Sequence, residues 1–152
     1  MKKTFSAETE NDLRKIAERL AALSKGGEFI AFFGGLGAGK TTFVRYFAAA
    51  FGMDAAASPT FTIVRHYDND RASILHFDCY RLADAEELEA IGFSDYLDSG
   101  STILMEWSEN VLDALPDERL EIHIEGSGAE PRRIEMDSFG ERYDAVIGGL
   151  EI

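Results

Sequence analysis

Eight consecutive residues, Gly34-Gly35-Leu36-Gly37-Ala38-Gly39-Lys40-Thr41, constrain this chain more than any other feature. They fit the spacing G-x-x-x-x-G-K-S/T without adjustment. Four glycines let the main chain curl with its N–H groups turned inward, which side chains at those places would obstruct. An apolar run, Glu28-Phe29-Ile30-Ala31-Phe32-Phe33, comes before the loop, and a helix-forming stretch from Lys40 to about Phe51 follows. That helix aims its positive end at the same spot, so the nest suits a polyphosphate. Lys40 supplies a point charge for the β- and γ-phosphates, and Thr41 a hydroxyl for Mg²⁺. A glycine-rich turn with an incidental lysine would account for the string, but not for its setting between strand and helix. The sequence predicts a nucleotide phosphate site.

The remaining elements follow from periodicity. In residues 9–24, Leu13, Ile16, Ala17, Leu20 and Leu23 recur at helical steps, with Thr9 placed to cap the first turn and Gly26-Gly27 to end the helix. Phe61 to Tyr67 and Ala72 to Phe77 are β-rich runs about Asp68-Asn69-Asp70-Arg71, a predicted hairpin. Residues 84–98 read as two short helical pieces broken near Gly92, and Thr102 to Met105 as a short apolar strand. Leu120 to Glu125 and Arg133 to Asp137 alternate about Gly126-Ser127-Gly128 as a second hairpin, and Phe139 to Ile147 closes with a helix. Alternating strands and helices with hairpins attached predict an α/β sandwich with a mixed sheet. Neither a repeat nor a Pro/Gly-rich linker marks a boundary, so residues 1–152 are expected to form one domain.

Composition removes several classes of function. Eleven Phe and five Tyr exceed what a solvated, coreless chain carries. No apolar run approaches the roughly 18 residues of a membrane span. Met1-Lys2-Lys3 opens like a signal peptide, but Glu8 and Glu10 fall where its apolar stretch belongs. The single cysteine, Cys79, forms no internal disulfide, and a cytoplasmic location is expected. The net charge is −13, and residues 82–125 hold thirteen acidic side chains against one basic one, Arg119. That stretch repels a phosphate backbone, so direct binding of nucleic acid by this chain alone is not expected. It reads either as a solvated face or as a docking surface for a basic partner.

A phosphate loop of this kind needs a carboxylate at the end of a neighbouring strand. Asp78 ends the run Ser73-Ile74-Leu75-His76-Phe77, and Glu106 directly follows Ile103-Leu104-Met105. Asp78 is assigned to the metal shell, and Glu106 to orienting or activating the attacking water and to contact with the metal; the residues alone also allow the reverse. Trp107 is either core or an indole that excludes water and leans on the nucleotide. In Ser58-Pro59-Thr60, Pro59 stiffens a turn and Thr60 offers a hydroxyl to Mg²⁺ or the γ-phosphate, in the manner of a switch. Arg65 and Arg81 are either surface residues or charges near the γ-phosphate. His66, His76 and His123 lack metal-ligand spacing, and no G-x-S-x-G supports a serine nucleophile.

Taken together, these pieces resemble the TsaE (YjeE) family of small bacterial ATPases needed for threonylcarbamoyladenosine modification of tRNA. The matching residues are Gly34, Leu36-Gly37-Ala38-Gly39-Lys40-Thr41-Thr42, Ser58-Pro59-Thr60, His76-Phe77-Asp78-Cys79-Tyr80-Arg81-Leu82 and Glu106-Trp107-Ser108-Glu109, in an order that covers about residues 9–137. The resemblance implies a P-loop NTPase-like three-layer sandwich, its central parallel sheet flanked by antiparallel strands, that binds ATP and Mg²⁺. It also implies work with TsaB and TsaD, the latter performing the transfer to tRNA adenosine. Carried over by position, Lys40 and Thr41 match phosphate and metal ligands, Asp78 the strand-end acid and Glu106 the second acid. Thr42 extends the loop match, and Thr9 and Arg132 are the loosest matches, to base-side contacts. Two departures stand out. Gly35 occupies a place the family usually gives to an acidic residue, and Cys79 replaces a usual aliphatic one.

Three rival functions are weighed. A small-molecule kinase would need an Arg-rich lid, and residues 82–125 offer one arginine. A GTPase would need N-K-x-D, and Asn110-Val111-Leu112-Asp113 lacks the lysine. A nucleotide-gated binding module with negligible hydrolysis differs from an ATPase only in turnover. Slow hydrolysis is expected of the chain alone, because no arginine finger is evident in its own sequence.

Overall fold

Five consecutive apolar residues without a polar break need cover on both faces, and Phe29–Phe33 has it: all five are buried. Ile30 and Phe32 enter one hydrophobic cluster, while Phe29, Ala31 and Phe33 enter another, as the two-residue repeat of a strand dictates. The computed structural model describes residues 1–55 and 59–151, so Ser58 of the Ser58-Pro59-Thr60 segment lies outside the described residues. The strands are β1 (Lys2–Ala7), β2 (Phe29–Phe33), β3 (Val64–Asp68), β4 (Ser73–Asp78), β5 (Thr102–Glu106), β6 (Arg119–Glu125) and β7 (Arg132–Phe139). Among the described residues they form one sheet in the order β1-β7-β6-β2-β5-β4-β3. The central strands β6, β2, β5 and β4 are parallel; β7 and β1 continue antiparallel on one side and β3 on the other.

Helices cover both faces. On one side lie α1 (Glu10–Leu23), α2 (Lys40–Ala49) and α5 (Glu141–Gly149), which bury Leu13, Phe43 and Ile147 among others. On the other lie α3 (Ala85–Ala90), α4 (Phe93–Leu97) and a 3-10 helix, Ser108–Ala114, which bury Leu88, Phe93 and Val111. The three layers and the parallel centre with antiparallel flanks are those expected. Thr9 caps α1 through a reciprocal pair: its Oγ1 accepts from Asp12 N at 3.2 Å and its own N–H donates to Asp12 Oδ2 at 3.1 Å, an arrangement worth about 1 kcal/mol.

Four local features differ from the sequence reading. Lys2–Ala7 is a strand, held against β7 from Lys2↔Asp137 to Ala7↔Arg132. The 3-10 helix after β5 has no periodic signal, being two short pieces joined across a kink at Val111 (φ −135°, ψ 34°) and begun by Trp107 in a left-handed conformation, φ 58°. β3 starts at Val64, not Phe61, because Thr62 and Ile63 donate back to Pro59 O and leave Ile63 at φ 70°. α2 ends at Ala49, where the amides of Phe51, Gly52 and Met53 fold back onto Ala48 and Ala49.

Because β2, β4 and β5 are parallel, their carboxyl ends emerge together. That end of an open α/β sheet is where ligands gather.

Candidate functional site

The loop after β2 is built by its glycines. Gly34, Gly37 and Gly39 have φ of 151°, 78° and 111°. A Cβ on Gly34 would stand 2.5 Å from Ile124 O, so only glycine passes there. Gly35 is different: its surroundings are open within 4 Å. At this position the fold does not demand glycine. Gly39 also precedes α2 with no side-chain cap, which leaves the first amides of that helix to the cleft.

A cleft of about 310 Å³ opens over this loop, lined by Leu36, Gly37, Ala38, Gly39, Lys40, Thr41 and Thr42 from the loop and α2. Thr60, Asp78, Tyr80, Glu106 and Trp107 form its opposite wall. The structure therefore brings together the loop, Thr60 and both strand-end acids. Thr41 Oγ1 donates to Glu106 Oε1 at 2.7 Å, and Thr60 Oγ1 to Asp78 Oδ2 at 2.8 Å. Tyr80 N donates to Asp78 Oδ1 at 3.0 Å. Both carboxylates are almost wholly buried, at 4% exposure for Asp78 and 2% for Glu106.

Lys40 is buried too, its Nζ donating to Gly34 O and lying 3.4 Å from the centroid of the Trp107 ring. Burial pushes its ammonium below the ordinary lysine range, while Glu109, Glu106 and Asp78 pull it back. The cation thus faces three carboxylates and an indole. Trp107 in turn meets Tyr80, ring centroids 4.9 Å apart, and together they wall the cleft. Glu109 reaches the loop as well, where its Oε2 accepts from Gly34 N at 3.2 Å.

Thr9 and Arg132 lie on the far side of the loop. They line a second cleft, about 290 Å³, with Gly37, Gly39, Thr42 and Gly128. Arg132 Nε donates to Ala38 O at 2.9 Å, which fastens β7 to the loop, and its Nη2 donates to Gly128 O at 3.1 Å in the turn between β6 and β7. Arg81 packs its guanidinium on the exposed Phe61 ring, 4.4 Å away, and among the described residues no arginine lines the first cleft. Cys79 is buried beside Asp78 and its thiol is pushed up to about 12, chiefly by burial, which disfavours the thiolate.

Two residues gain a place that sequence reasoning did not give them. His76, wholly buried, has Nε2 at 2.6 Å from Glu106 Oε2. Its signal was a polar ring interrupting an apolar strand two residues before Asp78. Glu109, three residues after Glu106, could have been found from the turn that a 3-10 helix makes in three residues. Elsewhere, Glu121, His123 and Asp137 gather within 4.8 Å, with Asp137 supplied by the neighbouring strand. Arg119 at 2.7 Å and Lys2 at 3.8 Å already offset those carboxylates.

The chain is similar to known proteins over most of its length. A family model described as "Threonylcarbamoyl adenosine biosynthesis protein TsaE" matches residues 7–134. A Bacillus subtilis protein named tRNA threonylcarbamoyladenosine biosynthesis protein TsaE is 37% identical over 140 residues, covering 91% of this chain and 87% of the relative. Its namesake from Haemophilus influenzae is 40% identical over 114 residues, 74% of this chain and 72% of the relative. A crystal structure of YdiB from Bacillus subtilis superposes with a TM-score of 0.83 at 30% identity, covering 99% of this chain and 94% of that one. The chain belongs to the TsaE family.

Proposed function

We propose that this protein binds ATP with Mg²⁺ in the cleft above Gly34–Thr41 and hydrolyses it slowly, in support of a TsaB/TsaD complex that modifies tRNA adenosine with a threonylcarbamoyl group. One observation carries the reading: a glycine cradle that a Cβ would fill stands against Lys40, Thr41, Asp78 and Glu106 in a single cleft. Inward amides and an ammonium suit phosphates, and a hydroxyl with two carboxylates is the hard-oxygen set that Mg²⁺ takes.

In this reading the loop amides and Lys40 hold the β- and γ-phosphates, while Thr41 and Asp78 face the metal. When bound, Mg²⁺ neutralises charge building on the phosphate oxygens. Glu106 orients the attacking water and takes its proton. Trp107 and Tyr80 shield that water from bulk solvent, and Thr42, Thr9 and Arg132 are assigned to the nucleoside side. Turnover is slow because the cleft wall lacks an arginine among the described residues, and such a group is worth roughly 10³–10⁵ in rate.

The partners are proposed from family membership, and the acidic stretch 82–125 supports a role that leaves tRNA to them. A cytoplasmic location is proposed from the single, buried cysteine; among the described residues no helix is long and apolar enough to cross a membrane. The test is phosphate release by the chain alone and with TsaB and TsaD. Slow release, raised by the partners, is expected. No release in either case would leave a nucleotide-gated binding module.

A further inference from the structure

The buried histidine beneath the cleft has no part in the scheme above. His76 lies on β4 two residues before Asp78, on the same face of the strand. Its ring is fully enclosed, and its Nε2 sits 2.6 Å from Glu106 Oε2. An ionised carboxylate oxygen only accepts, so the histidine nitrogen is the donor. The other ring nitrogen, Nδ1, is buried without a hydrogen-bond partner among the described residues. The ring is therefore aimed by one polar contact alone. An apolar side chain there would avoid leaving a buried nitrogen unmet.

Glu106 is held from both ends, its Oε1 taking the Thr41 hydroxyl at 2.7 Å and its Oε2 the His76 donor. The two contacts differ in place. Thr41 belongs to the cleft lining, and its hydroxyl is the one assigned to the metal. Metal coordination would use a lone pair of the Thr41 oxygen and leave its proton donated to Oε1, whose second lone pair stays open to accept from water. His76 lies outside that lining, fully buried, and its bond fixes the carboxylate from the other end.

We propose that His76 is a positioning residue: its Nε2–H pins one oxygen of Glu106 so that the other faces the attacking water. The inference rests on the reading of Glu106 as the group that orients water. Positioning of this kind is worth a large factor, since a displacement of about 1 Å at a reacting group can cost about 10²-fold.

The test uses two polar replacements that differ in reach. The amide nitrogen of glutamine extends about as far as Nε2, whereas that of asparagine stops near the place of Nδ1. In H76Q the donor is kept, and phosphate release at saturating Mg·ATP, with TsaB and TsaD present, stays within about fivefold of the unaltered chain. In H76N the donor is withdrawn, and kcat falls roughly 10- to 100-fold while the ATP dissociation constant stays within about threefold. Added to E106Q, H76N causes no further loss, because its effect runs through Glu106. Thermal melts of each variant show that the fold is retained. The inference is overturned if H76N keeps full turnover, if H76Q falls as far as H76N, or if the losses from H76N and E106Q multiply. Any of these with an active unaltered chain leaves the proposed function standing. An unaltered chain that never hydrolyses ATP removes both.

Discussion

Asp78 and Glu106 stand opposite one another in the β4–β5 ladder, the last paired residues of two parallel strands. Their side chains share a face of the sheet and end in the same cleft, each already accepting a threonine hydroxyl, from Thr41 of the loop helix or from Thr60 in the turn after Pro59. The Lys40 ammonium interacts with the charge of both acids, which raises its proton affinity against the effect of burial.

Lys40→Ala removes the ammonium that faces those acids. ATP affinity should fall roughly 10- to 100-fold, the worth of a charge-assisted contact of about 1.5–3 kcal/mol. Titration calorimetry on a folded variant measures it, and unchanged affinity would remove Lys40 from the phosphate site.

Glu106→Gln keeps the shape and the acceptor for Thr41 but withdraws the base. Turnover should drop by roughly 10²–10⁴ with nucleotide affinity nearly preserved. Equal losses in both would mean that Glu106 serves binding alone.

Glu109→Gln tests the carboxylate that accepts from Gly34 N at 3.2 Å. Its charge competes with phosphate for the same amide and for Lys40, so the variant should bind ATP several-fold more tightly, most clearly at low salt. Weaker binding would make Glu109 a ligand instead of a competitor.

Glu28, at the mouth of β2, supports the fold away from the cleft. Burial pushes its carboxyl up, but donors from Ser24, the Lys25 amide and Thr102 outweigh that and hold it below its ordinary 4.5. The stability it contributes is complete above that value and is lost as the pH falls through the lower folded one. Glu28→Gln should cost about 1–3 kcal/mol at neutral pH and flatten the acid-side decline in urea unfolding. An unchanged acid limb would contradict this.

Much of this was legible in the residues. The loop, the β2 run and both hairpins announced themselves because glycine spacing and two-residue alternation are local properties. The mixed sheet could be named, but its order could not: β2 pairs with β5 and β6, some seventy and ninety residues on, and no local pattern encodes that choice. For the same reason Asp78 and Glu106 could be nominated separately, while the contact from His76 to Glu106 depends on two strands meeting in one register. β1 escaped notice because its alternation is short and mostly polar, with Lys2, Thr4 and Ser6 exposed.

The most direct test of the central claim is calorimetric titration of the purified chain with ATP in the presence of magnesium. The account predicts saturable binding of one nucleotide per chain, lost when magnesium is chelated and weakened in K40A. No heat of association for ATP, with the chain alone or beside TsaB and TsaD, would contradict it.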